Sequence, residues 1–144
     1  MRILDLADRA GALCGRLFSD LGAEVIKIEP PIGAASRTLA PFAQRLKHDD
    51  SSLQFTHFNA GKKSVVLDLF NHHDKQIFLK LVKSSDVLID SLGQDEWKKI
   101  GLSYDSLEMT NPQLIITSIT DFGLTGPYSL YKGSGTISSA MGGI

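Results

Sequence analysis

Apolar positions along the chain follow two rhythms, short continuous runs and helical spacing. RILDLA (2–7) is a run rich in Ile and Leu and predicts a buried strand. Ala10, Leu13, Cys14, Leu17, Phe18 and Leu21 then recur at helical intervals, which predicts one continuous helix face turned to the core. Asp8 stands where it would cap that helix, and Gly22 where a left-handed residue would stop it. AEVIKIE (23–29) predicts a second strand, closed by Pro30-Pro31. Strand, helix and strand in this order form a βαβ unit with parallel strands and a right-handed crossover.

Residues 30–57 break the rhythm with prolines and the polar cluster KHDDSS, and read as a long functional or mobile loop. KSVVLDL (63–69) restores a β-branched strand. Asn71 is placed to cap the next helix, with Asp74 in the position of a capping-box acid and Ile77, Phe78, Leu81 and Val82 on the apolar face. DVLIDSL (86–92) predicts a fourth strand. A short helix carrying Trp97 and Ile100 ends at Gly101, and another begins at Ser103 and stops near Asn111-Pro112. LIITSIT (114–120) is a fifth strand. Apolar strands alternating with helices predict one domain over 1–144: an α/β, Rossmann-like, doubly wound fold, its mainly parallel sheet covered by helices on both faces.

In such a sheet ligands bind at the carboxyl ends of the strands, here residues 7–11, 30–38, 70–73, 90–95 and 120–135. The first of these turns, ADRAGALCG, lacks the Gly-x-Gly-x-x-Gly spacing of a dinucleotide site, although Glu29 stands where a ribose-binding acid often lies. No P-loop and no Gly-x-Ser-x-Gly elbow is present. His72 and His73 are adjacent, so on a helix they diverge by about 100° and cannot chelate one ion; an exposed first turn is expected. Cys14 falls on the apolar helix face and reads as packing. Lys62-Lys63 and Lys98-Lys99 are cationic pairs. Each is explained by a solvated turn or by the helix dipole when taken alone.

Composition narrows the class without naming a function. Of 144 residues 42% are hydrophobic and 22% charged, with a net charge of −1, so no whole-protein field recruits nucleic acid or an anionic membrane. One cysteine excludes an intramolecular disulfide. No apolar run reaches the ~20 residues that span a bilayer. A cytoplasmic protein without a metal site is the expectation.

Five segments in order, LGAEVIKIEPP (21–31), FNAGKKSVVLDL (58–69), SSDVLIDSL (84–92), IGLSYDSLEMTNPQLIITSITDFGLTGPY (100–128) and SSAMGGI (138–144), resemble the N-terminal part of the class III CoA-transferases. That family includes formyl-CoA and carnitine CoA-transferases and α-methylacyl-CoA racemases. The resemblance implies coenzyme A or an acyl-CoA as substrate, a small carboxylic acid as acceptor, no permanently bound cofactor, and an intertwined homodimer. It also implies a longer protein, whose nucleophilic aspartate lies a few dozen residues beyond AMGG, so that no catalytic residue is expected within these 144. An isolated piece would then expose an apolar patch.

By the same resemblance, several positions match CoA contacts. Leu67 lies beside the nucleotide, and Ser91 and Leu92 replace the usual Asn-Phe. Lys99 takes the place of a phosphate-binding arginine, keeping the charge without the planar fork. Lys132 and Gly133 precede the last helix. Arg9 lies in the loop touching pantetheine, one residue shorter here, and Arg37 sits where an arginine approaches the nucleotide. Arg37, Lys62, Lys63 and Lys99 would serve a triply phosphorylated ligand if they converge. Racemases carry Gly-His-Asp, and transferases often Gly-Tyr-Asp, where this chain has Gly133-Ser134-Gly135. Serine has no useful acid–base pKa, which disfavours a two-base racemase. The leading expectation is the CoA-binding portion of a transferase. The alternatives are a racemase of the same family and a non-catalytic CoA-binding or interaction module.

Overall fold

The computed structural model describes residues 1–43 and 52–143. In it the predicted alternation becomes one parallel sheet. Its strands are β1 (Arg2–Leu6), β2 (Glu24–Glu29), β3 (Lys63–Val66), β4 (Val87–Asp90) and β5 (Ile115–Ser118), in the order β3-β2-β1-β4-β5. Every neighbouring pair is parallel, with Ile3 level with Val25 on one side and Val87 on the other. The winding reverses between β1 and β4, and the carboxyl ends of those two strands flank the switch point where a doubly wound sheet opens a crevice.

Helices cover both faces, as the sequence predicts. α3 (His72–Lys83), α4 (Gln94–Ile100) and α5 (Tyr104–Thr110) lie over one face. Their Phe78, Val82, Trp97, Ile100 and Leu107 pack with Leu4, Leu6, Ile26, Ile28 and Leu88 of the strands in one continuous core. Trp97 lies between Phe78 and Tyr104, its ring 6.0 Å from each. The opposite face carries α1 (Ala12–Asp20) and α2 (Leu53–Asn59), which pack on one another. Its apolar core is smaller: Ile3, Ala7, Val25 and Ile89, with Cys14 and Phe18 half-buried against them. α6 (Gly135–Gly142) comes last and buries none of its residues.

Local details separate what the pattern predicted from what packing chose. Gly22 ends α1 at φ 89°, with its amide on the Ser19 carbonyl and that of Ala23 on Phe18, a left-handed stop. The helix is rotated from its expected orientation. Ala12 and Gly15 face the sheet, whereas Leu13, Leu17 and Leu21 are exposed. The reason is at Gly15: a Cβ there would stand 2.4 Å from the Asp5 carboxylate, so only the small-residue stripe can approach the sheet this closely. Asp8 does not cap α1, which starts at a left-handed Gly11 without a side-chain cap. Asn71 does cap α3, but Asp74 accepts from the Asp68 amide instead of closing a capping box. His72 and His73 are exposed in the first turn of α3.

Among its described residues, the segment read as a loop over 30–57 holds a 3₁₀ turn at Ala35–Thr38 and the start of α2, whose cap Ser52 accepts from the Phe55 amide. Of the KHDDSS cluster, residues 47–51 lie outside the described residues. No described helix is long and apolar enough to cross a membrane.

Candidate functional site

The loops that leave the carboxyl ends of the strands are held by a set of buried acids. Asp90, fully buried at the end of β4, accepts from the Leu92 amide and the Tyr104 hydroxyl, each at 2.6 Å, and Tyr104 also meets Ser118 at 2.8 Å. Burial, together with Asp90, pushes the Tyr104 hydroxyl up to about 12. Glu29, at the end of β2, accepts from Arg37 at 2.7 and 2.8 Å, from Ser64 at 2.6 Å and from the Ala34 amide at 3.0 Å. Burial alone would raise this carboxyl, but those hydrogen bonds outweigh it and hold it at about 2. Glu29 is therefore committed to its own loop. Asp8 ties the same loop from the other side. Its carboxylate accepts from the Ser36 amide and hydroxyl, and its own amide donates to Ser91 Oγ at 3.2 Å.

Two adjoining cavities result. The first, about 560 Å³, lies beside the loops after β1, β4 and β5 and is lined in part by Arg9, Ser91, Leu92, Lys99, Tyr131 and Lys132. The second, about 540 Å³, lies beside the loops after β2 and β3 and is mainly apolar, with Ile28, Pro30, Ile32, Leu67, Leu69 and Phe70 in its wall. Asp8, Leu92 and Glu96 belong to both, so the two form one divided crevice across the switch point.

Of the residues singled out in the sequence, Arg9, Ser91, Leu92, Lys99 and Lys132 meet in the first cavity, and Leu67 and Leu92 in the second. The four cations expected to share phosphate binding do not converge. Lys62 is buried beneath α1, where its Nζ donates to Asp5 at 2.6 Å, to the Ala12 carbonyl at 2.8 Å and to Asn59 at 2.8 Å. Burial pushes this ammonium down and Asp5 opposes the shift. Lys63 pairs with Glu24 at 2.7 Å, at the amino ends of β2 and β3, away from the crevice. Arg37 is bidentate to Glu29, and its guanidinium lies 3.8 Å from the centre of the Phe55 ring. Lys99 is in the crevice but is paired with Glu96 at 2.5 Å, which raises its pKa.

Gly133 sits at the neck of a loop. Its amide donates to Asp121 Oδ2 at 2.9 Å, and a Cβ at this position would fall 2.5 Å from the Asp121 side chain. The glycine is required by that close approach. Ser134 caps α6 by accepting from the Ile137 amide. Between Asp121 and Gly133, Tyr128 meets Phe122 at a tilt and Tyr131 edge to face, and the loop gives Leu124, Leu130, Tyr131 and Lys132 to the first cavity. The tethering acids Asp8 and Asp90 and the crevice acid Glu96 were not found by sequence reasoning. The available signal was an acid closing an otherwise apolar strand, as Asp90 does in VLID.

A family model described as CoA-transferase family III matches residues 1–144. The succinyl-CoA:(R)-benzylsuccinate CoA-transferase subunit BbsE of Thauera aromatica is 34% identical over 99% of this chain and 35% of its own length. The acetyl-CoA:oxalate CoA-transferase of Acetobacter aceti is 41% identical over 89% of this chain and 32% of its length. A solved CAIB/BAIF family protein from Brucella suis superposes with a TM-score of 0.91 at 38% identity, covering all of this chain and 38% of that one. The chain spans about a third of the length of the curated relatives it matches.

Proposed function

We propose, on the premise that this chain belongs to CoA-transferase family III, that it forms the coenzyme A-binding wall of an enzyme that moves CoA from an acyl thioester to a carboxylic acid. The observation that carries this reading is the divided crevice at the switch point. Its polar half sets Arg9, Lys99 and Lys132 among Asp8, Asp95, Glu96 and Asp121 and offers cations to phosphates, and its apolar half, with Leu67, Leu69 and Phe70, suits uncharged parts of the ligand. A CoA thioester combines both chemistries in one molecule.

The buried acids among the described residues do not supply the nucleophile. Asp5 is paired with Lys62, Glu29 with Arg37, and Asp90 with Tyr104 and the Leu92 amide, so each is spent on structure. The chemical step belongs to the aspartate that the family resemblance places beyond Gly143. That carboxylate attacks the thioester carbonyl and expels CoA thiolate, leaving a mixed anhydride. The thiolate then attacks the enzyme-side carbonyl of the anhydride and releases the donor acid, and the resulting enzyme–CoA thioester passes CoA to the acceptor through a second anhydride. What this chain does meanwhile is keep the thiolate's nucleotide anchored, so that it returns to the same site. The racemase alternative lacks support, since Ser134, in place of an acid–base residue, is a helix cap.

Association of copies is also part of this proposal. Leu13, Leu17 and Leu21 form an exposed apolar row on α1, which supports burial against another surface. Light scattering on the purified chain tests it, and a strictly monomeric species over the micromolar range would refute it.

Calorimetric titration with CoA tests the principal reading. Saturable binding, weakened for 3′-dephospho-CoA and at high salt, is expected. A folded chain that gives no saturable heat with CoA at low salt would overturn the assignment of the crevice.

A further inference from the structure

β2 carries a lysine on a buried sheet face, where an apolar residue would ordinarily stand. Lys27 lies level with Asp5 of β1 and is 2% exposed, yet among the described residues it enters no ion pair. Its Nζ donates to the Ala7 carbonyl at 2.7 Å. The Ala7 amide donates in turn to Asp5 Oδ1 at 2.9 Å, and Ala7 itself is inaccessible. Both backbone groups of one residue are therefore held by buried charged side chains. Ala7 stands just past the end of β1, at the foot of the turn over 8–11. Farther along, the Asp8 amide donates to Ser91 Oγ and its carboxylate accepts from Ser36, while Gly11, at φ 87°, has Ile119 where a Cβ would project. Fixed at both ends, the turn exposes Arg9 and Ala10 at its tip, and both line the first cavity.

Resting on the reading of the crevice as a CoA site, we propose that Lys27 is a positioning residue of that site. It acts through Arg9, by holding the peptide from which the turn springs. Its burial is the first argument. An ammonium taken out of water without a carboxylate partner loses more than it regains from one carbonyl, so an apolar side chain would serve the sheet better. What the lysine adds is direction. A charge-assisted hydrogen bond on the Ala7 carbonyl fixes the plane of the Ala7-Asp8 peptide, and with it the Asp8 amide that faces Ser91. Hydrocarbon in its place would leave a buried carbonyl without that donor, and the peptide would turn to find another. Arg9 follows directly. Among the described residues no ion pair or hydrogen bond holds its side chain, so the backbone alone decides where it starts. A ligand that meets the turn already in place is spared the cost of ordering it. Lys27 also borders the second cavity, but its ammonium is engaged with Ala7.

The test is calorimetry with CoA on two double-mutant cycles, with circular dichroism to confirm each fold. Lys27→Met keeps most of the side chain's length and removes the donor. It is expected to weaken CoA binding about fivefold in the otherwise wild-type chain and in Lys99→Ala, but by less than about twofold in Arg9→Ala. Lys27→Arg, which keeps a cationic donor, should stay within about twofold of the wild type. A loss of the same size in all three backgrounds overturns the inference, since neither a general loosening of the fold nor direct contact of Lys27 with the ligand depends on Arg9. A loss in Lys27→Arg equal to that in Lys27→Met overturns it too, because the donor is then not what matters. If Lys27→Met does not fold, the cycles are run with Lys27→Arg, and any loss it shows must vanish without Arg9. If the wild type binds CoA and Lys27→Met binds it equally well, the role of Lys27 falls and the reading of the crevice stands. If the wild type gives no saturable heat, that reading falls and takes this inference with it.

Discussion

The two faces of the sheet are built on opposite principles. Under α3, α4 and α5 the filling is hydrocarbon, with Phe78, Val82, Trp97, Leu107, Leu4 and Leu88 all essentially inaccessible. Under α1 and α2 the inaccessible residues include Asp5, Lys27 and Glu29, and Lys62 contributes a side chain only 1% exposed. The first face is held by area removed from water, which is tolerant of position. The second is held by directional bonds that fix where particular atoms lie, and its acids lead into the loops of the crevice. Most of the buried charge therefore lies on one side of the sheet, and Asp90, bonded to Tyr104 of α5, is the buried acid of the other.

That division can be broken most severely by leaving a charge alone. Asp5→Ala strands the Lys62 ammonium in a dry site and should cost about 3–5 kcal/mol in urea unfolding. Phe78→Ala on the other face should cost a similar 3–5 kcal/mol, through a cavity. The faces separate in the rescue: the joint replacement Asp5→Leu with Lys62→Met should recover most of the loss, since a buried pair exchanged for apolar side chains is often neutral. A double variant as unstable as Asp5→Ala would show that the pair, not the absence of a lone charge, holds α1.

Acid provides the next test. Glu29 is held at about 2 against a usual 4.5, so its contribution is present above pH 4.5 and disappears as pH falls toward 2. The shift corresponds to about 3 kcal/mol. The stability gap between wild type and Glu29→Gln should shrink by roughly half between pH 6 and pH 3. A gap independent of pH would mean that Glu29 acts by packing. Tyr104→Phe is smaller, about 1–2 kcal/mol, because Asp90 loses one of its donors. Its loss should also weaken CoA binding, as Asp90 positions the Leu92 amide; unaltered affinity would sever that link. Smallest in stability is Lys99→Ala, expected within about 0.5 kcal/mol of wild type because the residue is exposed. CoA affinity should nevertheless fall several-fold, and unchanged affinity would remove Lys99 from the site.

Much of this architecture could be read from the chain, and the failures have physical causes. The five strands and the stops at Gly22 and Gly101 were legible because periodicity and glycine placement are local properties. The face of α1 was misread because Leu13, Leu17 and Leu21 outweigh Ala12 and Gly15 in any count of hydrophobicity, while the sheet selects by size. α2 was missed because seven residues after a polar stretch give too short a period to detect. The engagement of Lys62 is not legible in the sequence because its partner, Asp5, is 57 residues away, and no spacing rule reaches that far. Of the positions that the resemblance matches to CoA contacts, Arg9, Ser91, Leu92, Lys99 and Lys132 line one cavity, whereas Arg37, Lys62, Lys63, Leu67 and Gly133 lie outside its wall. The resemblance was silent on the acids, whose effect depends on geometry.

The closure at Asp121 and Gly133 has a consequence for engineering. A single side-chain-to-amide bond joins the two ends of the intervening segment, and that segment supplies much of one wall of the first cavity. It can therefore be treated as a cassette. Sequences of other lengths can be grafted between its ends with β5 and α6 left in place, and such grafts would be read out as altered ligand preference more than as altered melting temperature.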